Sequence, residues 1–130
     1  VVGLKGASLT TELERARHAL ASASVEADVQ AQIVDGYPGQ EAVLAMALRE
    51  AVTNVIRHAS ASRCEIRVET RKDELVLSVA DNGKGGRLVE GSGLKGMRAR
   101  LAAIGGALQV KSDKDGARLV ATAPLAGTIG

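Results

Sequence analysis

Apolar side chains recur at Leu44, Leu48, Ala51 and Val55 in L-A-M-A-L-R-E-A-V-T-N-V-I-R-H, which predicts a central helix over 44–58 with one packed face. A second, polar stripe runs beside it through Glu50, Asn54, Arg57 and His58. At about 100° per residue, Glu50 and Asn54 fall about 40° apart on the helix surface. Earlier in the chain, Leu13, Ala16 and Leu20 predict a short amphipathic helix that ends near Ser22, with Ser8, Thr10 and Thr11 as candidate N-caps. His18 within it reads as a surface residue without chemistry. Residues 25–34 alternate, with Val25, Ala27, Val29, Ala31 and Ile33 on one side, and predict a strand. The cluster Asp35, Gly36, Pro38 and Gly39 then breaks the chain before the central helix.

After a loop at 59–62, Cys64, Ile66 and Val68 alternate with charged neighbours. Residues 71–73 form a tight turn, and 75–80 (L-V-L-S-V-A) complete a predicted antiparallel pair. A glycine-rich stretch occupies 81–96. Leu94, Met97, Leu101 and Ile104 then repeat at helical spacing up to a stop at Gly105-Gly106. Two last strands, 108–111 and 118–123, flank a turn at 113–116 and close at Pro124. Three helices and about five strands in this mixed order predict an α+β domain, with helices over one face of a mostly antiparallel sheet.

Composition narrows the partners. The 130 residues suit one domain with one core, and that core must be aliphatic, since there is one Tyr and neither Phe nor Trp. A net charge of +2 from 17 basic and 15 acidic residues argues against nucleic acid. Cys64 is the one cysteine, so an intrachain disulfide and a cysteine-based metal cluster are both excluded, which fits a reducing cytoplasm. No run approaches the ~20 apolar residues of a membrane span, and the N-terminus lacks the pattern of a signal peptide. The start without Met, in the middle of V-V-G-L-K-G, leads us to expect a piece cut from a longer chain, whose membrane segment would lie elsewhere.

The candidate chemistry lies in the central helix and the glycines. An acid, an amide, an Arg and a His on one helical row suit a metal-nucleotide site, because Mg²⁺ takes hard oxygen ligands and phosphates attract Arg and His; the same row also reads as a solvated face. Asp81, at the end of an apolar strand, is a fixed acceptor for an exocyclic amine such as that of adenine. Gly83 and Gly85 would let backbone pass close to a flat ring, although Asp-Asn-Gly is also a common turn. Gly91, Gly93 and Gly96 lead into a helix whose free N–H groups and dipole suit phosphate oxygens. Their G-x-G-x-x-G spacing lacks the strand before it and the acid at the end of a following strand that a dinucleotide fold needs, and no G-x-x-x-x-G-K-[ST] loop occurs.

Taken together and in order, E50-A-V-T-N54-V-I-R57-H58, D81-N-G83-K-G85 and G91-S-G93-L-K-G96-M resemble the ATP-binding (Bergerat, GHKL-type) fold of sensor histidine kinases, gyrase-type topoisomerases, mismatch-repair ATPases and a class of chaperones. The closing run G93-L-K-G-M-R-A-R-L is most similar to the DesK and NarX branch of the histidine kinases, and the resemblance covers about residues 8–125. It implies a two-layer α/β sandwich with ATP between the helix layer and a lid. Asn54 would ligate Mg²⁺ and Glu50 would polarise a water or the incoming nucleophile. Arg57 and His58 would face phosphate or ribose, and Asp81 would take the adenine amine in a pocket shaped by Gly83 and Gly85. Gly93, Leu94, Gly96 and Met97 would form the lid hinge and the phosphate-facing helix start, and Thr122 would add a hydrogen bond near adenine.

The chain departs from the wider family in having no Phe, only 86–90 between its glycine boxes, and Gly116-Ala117 where relatives often have Gly-Thr. A short lid follows. The phosphoaccepting histidine on a long dimerising helix is missing, so residues 1–7 read as a linker from an upstream dimerisation and histidine phosphotransfer domain, and 126–130 as a disordered tail. The expected function is the cytoplasmic catalytic domain of a two-component sensor kinase that passes phosphate to that domain and on to a response regulator. The fragment would be monomeric and its parent a homodimer, with a possible place at the inner membrane. An anti-sigma-type serine kinase and a nucleotide-dependent interaction module without phosphotransfer are the alternatives.

Overall fold

Ser8 caps helix α1 (Leu9–Ser22): its extended backbone lets the side chain accept the Thr11 N–H, so Ser8 is the N-cap among the candidates. The computed structural model describes residues 8–33, 36–83 and 92–125. The expected linker 1–7, the tail 126–130, Gly85, Gly91 and the expected lid 86–90 lie outside the described residues. Leu9, Leu13, Ala16 and Leu20 of α1 are buried. Strand β1 (Glu26–Ala31) follows and is shorter than its alternation predicts; Val25, Ala27, Val29 and Ile33 reach the core while Ala31 is exposed.

Helix α2 (Pro38–Asn54) begins earlier than the apolar stripe alone indicates. Pro38 occupies its first turn, where a missing N–H costs nothing, and the Tyr37 carbonyl accepts the Glu41 N–H at 3.0 Å. Pro38 and Gly39 therefore open the helix rather than break the chain. The predicted stripe Leu44, Leu48, Ala51 and Val55 is buried throughout. Past Asn54 the helix widens into a π-helical turn (Val55–Ala59), which ends at Ser60 in the left-handed region with φ 52°.

Strands β2 (Arg63–Arg71) and β3 (Glu74–Asp81) form the expected hairpin. Helix α3 (Ser92–Ala103) leads to the hairpin of β4 (Ala107–Asp113) and β5 (Gly116–Pro124). The sheet order is β1-β2-β3-β5-β4, parallel only between β1 and β2, whose connection carries α2. This is the predicted α+β sandwich. Its core is aliphatic, built by Leu44, Leu48, Ile66, Leu77 and Leu101 between the layers. Ile104 departs from the expected stripe and is exposed. Gly105, at φ +80°, and Gly106 donate their N–H groups to Ala102 and Leu101 carbonyls at 3.0 and 2.7 Å, closing α3 one residue before Ile104. On the sheet's other face, Arg63 and Arg67 of β2 pair with Asp28 of β1 at 3.2 and 3.4 Å.

Candidate functional site

The last turns of α2 carry Glu50 and Asn54, both half-buried, one turn apart on the helix. Arg57 is exposed in the π-helical turn, and His58 lies in the same turn. The π turn takes Arg57 off the regular helical spacing on which the sequence row is drawn. Across the described residues α2 packs on β3, β5 and α3, which places this row beside the sheet's central strands.

Asp81 is the last residue of β3, in register between Cys64 of β2 and Ala117 of β5. The alternation Leu75, Leu77, Val79 places it on the sheet face that the helices cover. Its carboxylate accepts the Gly83 N–H at 2.8 Å, so Asp-Asn-Gly folds as an Asx-turn and Gly83 is buried against it. The turn reading and the acceptor reading of Asp81 are therefore compatible: the turn fixes the carboxylate at the strand end. Cys64 is fully buried beside it. Burial, then the negative charges of Asp81 and Glu65, push the thiol up to about 12, so it stays protonated. Gly116, at φ +147°, brings the start of β5 so close to the Asp81 carbonyl that a Cβ there would overlap the oxygen.

Gly93 joins the two halves of the site. A Cβ on it would overlap the Glu50 carboxylate, so the start of α3 lies against the acid of α2. Leu94 and Met97, expected at the hinge and phosphate-facing start, are buried instead and anchor α3 to the core. Gly96 is exposed, with open space where a Cβ would stand. Thr122 stands apart from the rest. It alternates with the fully buried Ala121 and Ala123 and pairs with Val76 and Ala107, which turns it to the sheet face away from the helices. The contacts of Cys64, Asn82 and Gly116 with the Asp81 strand end depend on strand register, which spacing along the sequence does not supply.

Among the described residues no cluster of three or more His, Cys, Asp and Glu is placed to cage a metal ion. Mg²⁺ fits such a site without a cage, since it keeps several waters and takes one or two hard protein oxygens together with substrate phosphates. The half-buried amide of Asn54, a turn from Glu50, offers such an oxygen.

Residues 39–127 match the family model of the histidine kinase-, DNA gyrase B-, and HSP90-like ATPases. The chain is 33% identical over 131 aligned positions to sensor histidine kinase YvfT of Bacillus subtilis, covering 96% of this chain and 34% of that protein. It is 38% identical over 88 positions to sensor histidine kinase DesK of the same organism, covering 65% of this chain and 24% of that protein, which agrees with the DesK-like resemblance of the motifs. It thus spans about a third or less of these curated relatives. The fold is shared with the histidine kinase domain of the Erythrobacter litoralis EL346 blue-light activated kinase, at a TM-score of 0.78, 19% identity, and coverage of 90% of this chain and 60% of that one. Acinetobacter baumannii histidine kinase AdeS aligns at a TM-score of 0.69 and 18% identity over 91% of this chain and 65% of that one. The helix-borne acid and amide, the strand-end aspartate and the glycine start of α3 thus belong to a chain that is a member of the histidine kinase-, DNA gyrase B-, and HSP90-like ATPase family.

Proposed function

We propose that this chain is the ATP-binding catalytic domain of a two-component sensor histidine kinase, which presents the γ-phosphate of ATP to a histidine nitrogen on a separate two-helix domain. The observation that carries this reading is the approach of Gly93, at the start of α3, to the Glu50 carboxylate of α2, which brings the start of α3 onto the polar row of the helix. Asp81 takes the exocyclic amine of adenine while its Asx-turn with Gly83 holds the carboxylate in place. The motif assigns Gly85 to the same adenine pocket. Asn54 offers its amide oxygen to Mg²⁺, and Arg57 and His58 meet phosphate or ribose. Mg²⁺, when bound, neutralises charge on the phosphate oxygens. Glu50 orients the incoming nucleophile. Catalysis of this kind is positioning and charge neutralisation, which an acid and an amide on α2 beside the start of α3 are suited to supply.

The phosphorylated histidine then serves a response regulator. By analogy with the sensor histidine kinases it resembles, the parent is a homodimer with this domain on the cytoplasmic side. Separately, no helix among the described residues is long and apolar enough to cross a membrane. Incubation with γ-labelled ATP and Mg²⁺, with and without a separately prepared two-helix domain, tests the assignment. Label is expected on the partner's histidine and not on this chain. Histidine labelling of this chain alone, or serine labelling of an added protein, would overturn it.

A further inference from the structure

Asn82 follows the strand-end aspartate, and its polar groups converge on the start of β2. Its Oδ1 accepts the N–H groups of Ser62 and Arg63 at 3.0 and 2.9 Å. Its Nδ2 donates to Ser62 Oγ at 3.0 Å, and its backbone N–H donates to the Arg63 carbonyl at 3.2 Å. Regular pairing between β2 and β3 stops at Cys64 and Asp81, and these bonds carry the register past the strand ends on this side. What they hold is specific. Ser62 lies two residues after left-handed Ser60, which closes the π-helical turn of Arg57 and His58. On the other side of Asn82, Asp81 and Gly83 are locked to each other by the Asx bond. One amide side chain therefore ties the segment leaving α2 to the turn that fixes Asp81. Without it, only the backbone bond from Asn82 N–H to the Arg63 carbonyl would link the two segments directly, and the 60–62 segment would lose its three side-chain bonds to the Asp81–Gly83 turn.

We infer that Asn82 is a positioning residue of the nucleotide site, which sets the distance between the base-recognising carboxylate of Asp81 and the phosphate-facing end of α2. This rests on the reading of Asp81 as the adenine contact. A side chain that can accept both N–H groups is what the position requires. Asn82→Asp keeps the oxygen that accepts both N–H groups and replaces the donating Nδ2 by a second oxygen, to which Ser62 Oγ can turn to donate. Asn82→Ala keeps neither.

The test uses the 130-residue chain, titrated with ATP in the presence of Mg²⁺ by calorimetry, with thermal unfolding recorded alongside. Asn82→Ala is expected to bind ATP about tenfold more weakly while still fully folded at the titration temperature, because lost placement acts on ligand contacts. Asn82→Asp is expected to stay within about threefold of the parent. Affinity in Asn82→Ala within about twofold of the parent, or an equal loss in both variants, would overturn the inference. Asp81→Asn serves as the control: if it binds ATP as the parent does, the reading of the site itself fails, whereas an impaired Asp81→Asn beside an unimpaired Asn82→Ala removes the clamp alone.

Discussion

Gly93, in the first turn of α3, lies so close to the Glu50 carboxylate of α2 that only a residue without a Cβ leaves the carboxylate where it is. The obstacle is the far end of a flexible side chain, so Gly93→Ala should be accommodated by a swing of Glu50. Stability should hold or rise slightly, since Ala is the better helix residue by roughly 0.5–1 kcal/mol. Phosphotransfer to a supplied two-helix domain should fall by about tenfold to a hundredfold, the usual penalty of a misplaced catalytic group. Glu50→Gln added to Gly93→Ala should bring little further loss. A variant with normal rate would mean that the position of Glu50 is irrelevant to the chemistry.

Base recognition by Asp81 predicts a preference that can be read with two nucleotides. ITP carries a carbonyl where ATP carries the exocyclic amine, so it sets one acceptor against another at Asp81. The parent chain should bind ATP about a hundredfold more tightly than ITP, as expected where a site is built to hydrogen-bond one group. Asp81→Asn can present an NH₂ to the inosine carbonyl. It should lose affinity for ATP and narrow or invert the preference. Equal binding of both nucleotides by the parent would remove Asp81 from the base pocket.

Cys64 makes a prediction about pH. Burial and two neighbouring carboxylates raise its thiol from an ordinary 9.0 to about 12, so the folded chain retains a proton that the unfolded chain releases. The contribution of this group to stability is therefore complete below about pH 9 and is lost as pH rises from 9 toward 12. The urea midpoint should fall across that interval more steeply in the parent than in Cys64→Ala. Alkylation by iodoacetamide at pH 9 should be slow in native buffer and fast in urea. Rapid labelling of the folded chain would show that the thiol is not sealed beside Asp81.

The parts of this site that the sequence discloses are those set by spacing within one element. Leu44, Leu48, Ala51 and Val55 share a face because helical geometry requires it, and Glu50 and Asn54 lie a turn apart for the same reason. Features set by register across strands are not disclosed in this way. Thr122 was expected near adenine, yet a one-residue difference in register turns a side chain to the opposite face, and pairing with Val76 and Ala107 puts it outside. Cys64 reaches Asp81 only through the β2–β3 pairing, and Glu12 reaches Arg49, at 3.0 Å, only through the packing of α1 on α2. Local capping also hides from periodicity. Pro38 looks like a breaker until its place in the first turn of α2 is known, and the π turn after Asn54 leaves no apolar repeat to reveal it.

Gly116 offers a contrast to Gly93, because what a side chain would strike there is backbone. At φ +147° the residue already lies where L side chains are strained, and its Cβ would overlap the Asp81 carbonyl oxygen. Neither partner can turn away as a carboxylate can, so Gly116→Ala should destabilise the chain by about 2–3 kcal/mol, read as a lower urea midpoint with unchanged slope. The atoms forced to move belong to Asp81. ATP affinity should therefore drop in the same variant when measured at a temperature where it remains folded. Gly93→Ala should separate these quantities by reducing phosphotransfer at constant stability, and Gly116→Ala should join them. If Gly116→Ala unfolds at the parent's midpoint, the start of β5 yields freely, and Asp81 is held from the β2 side alone.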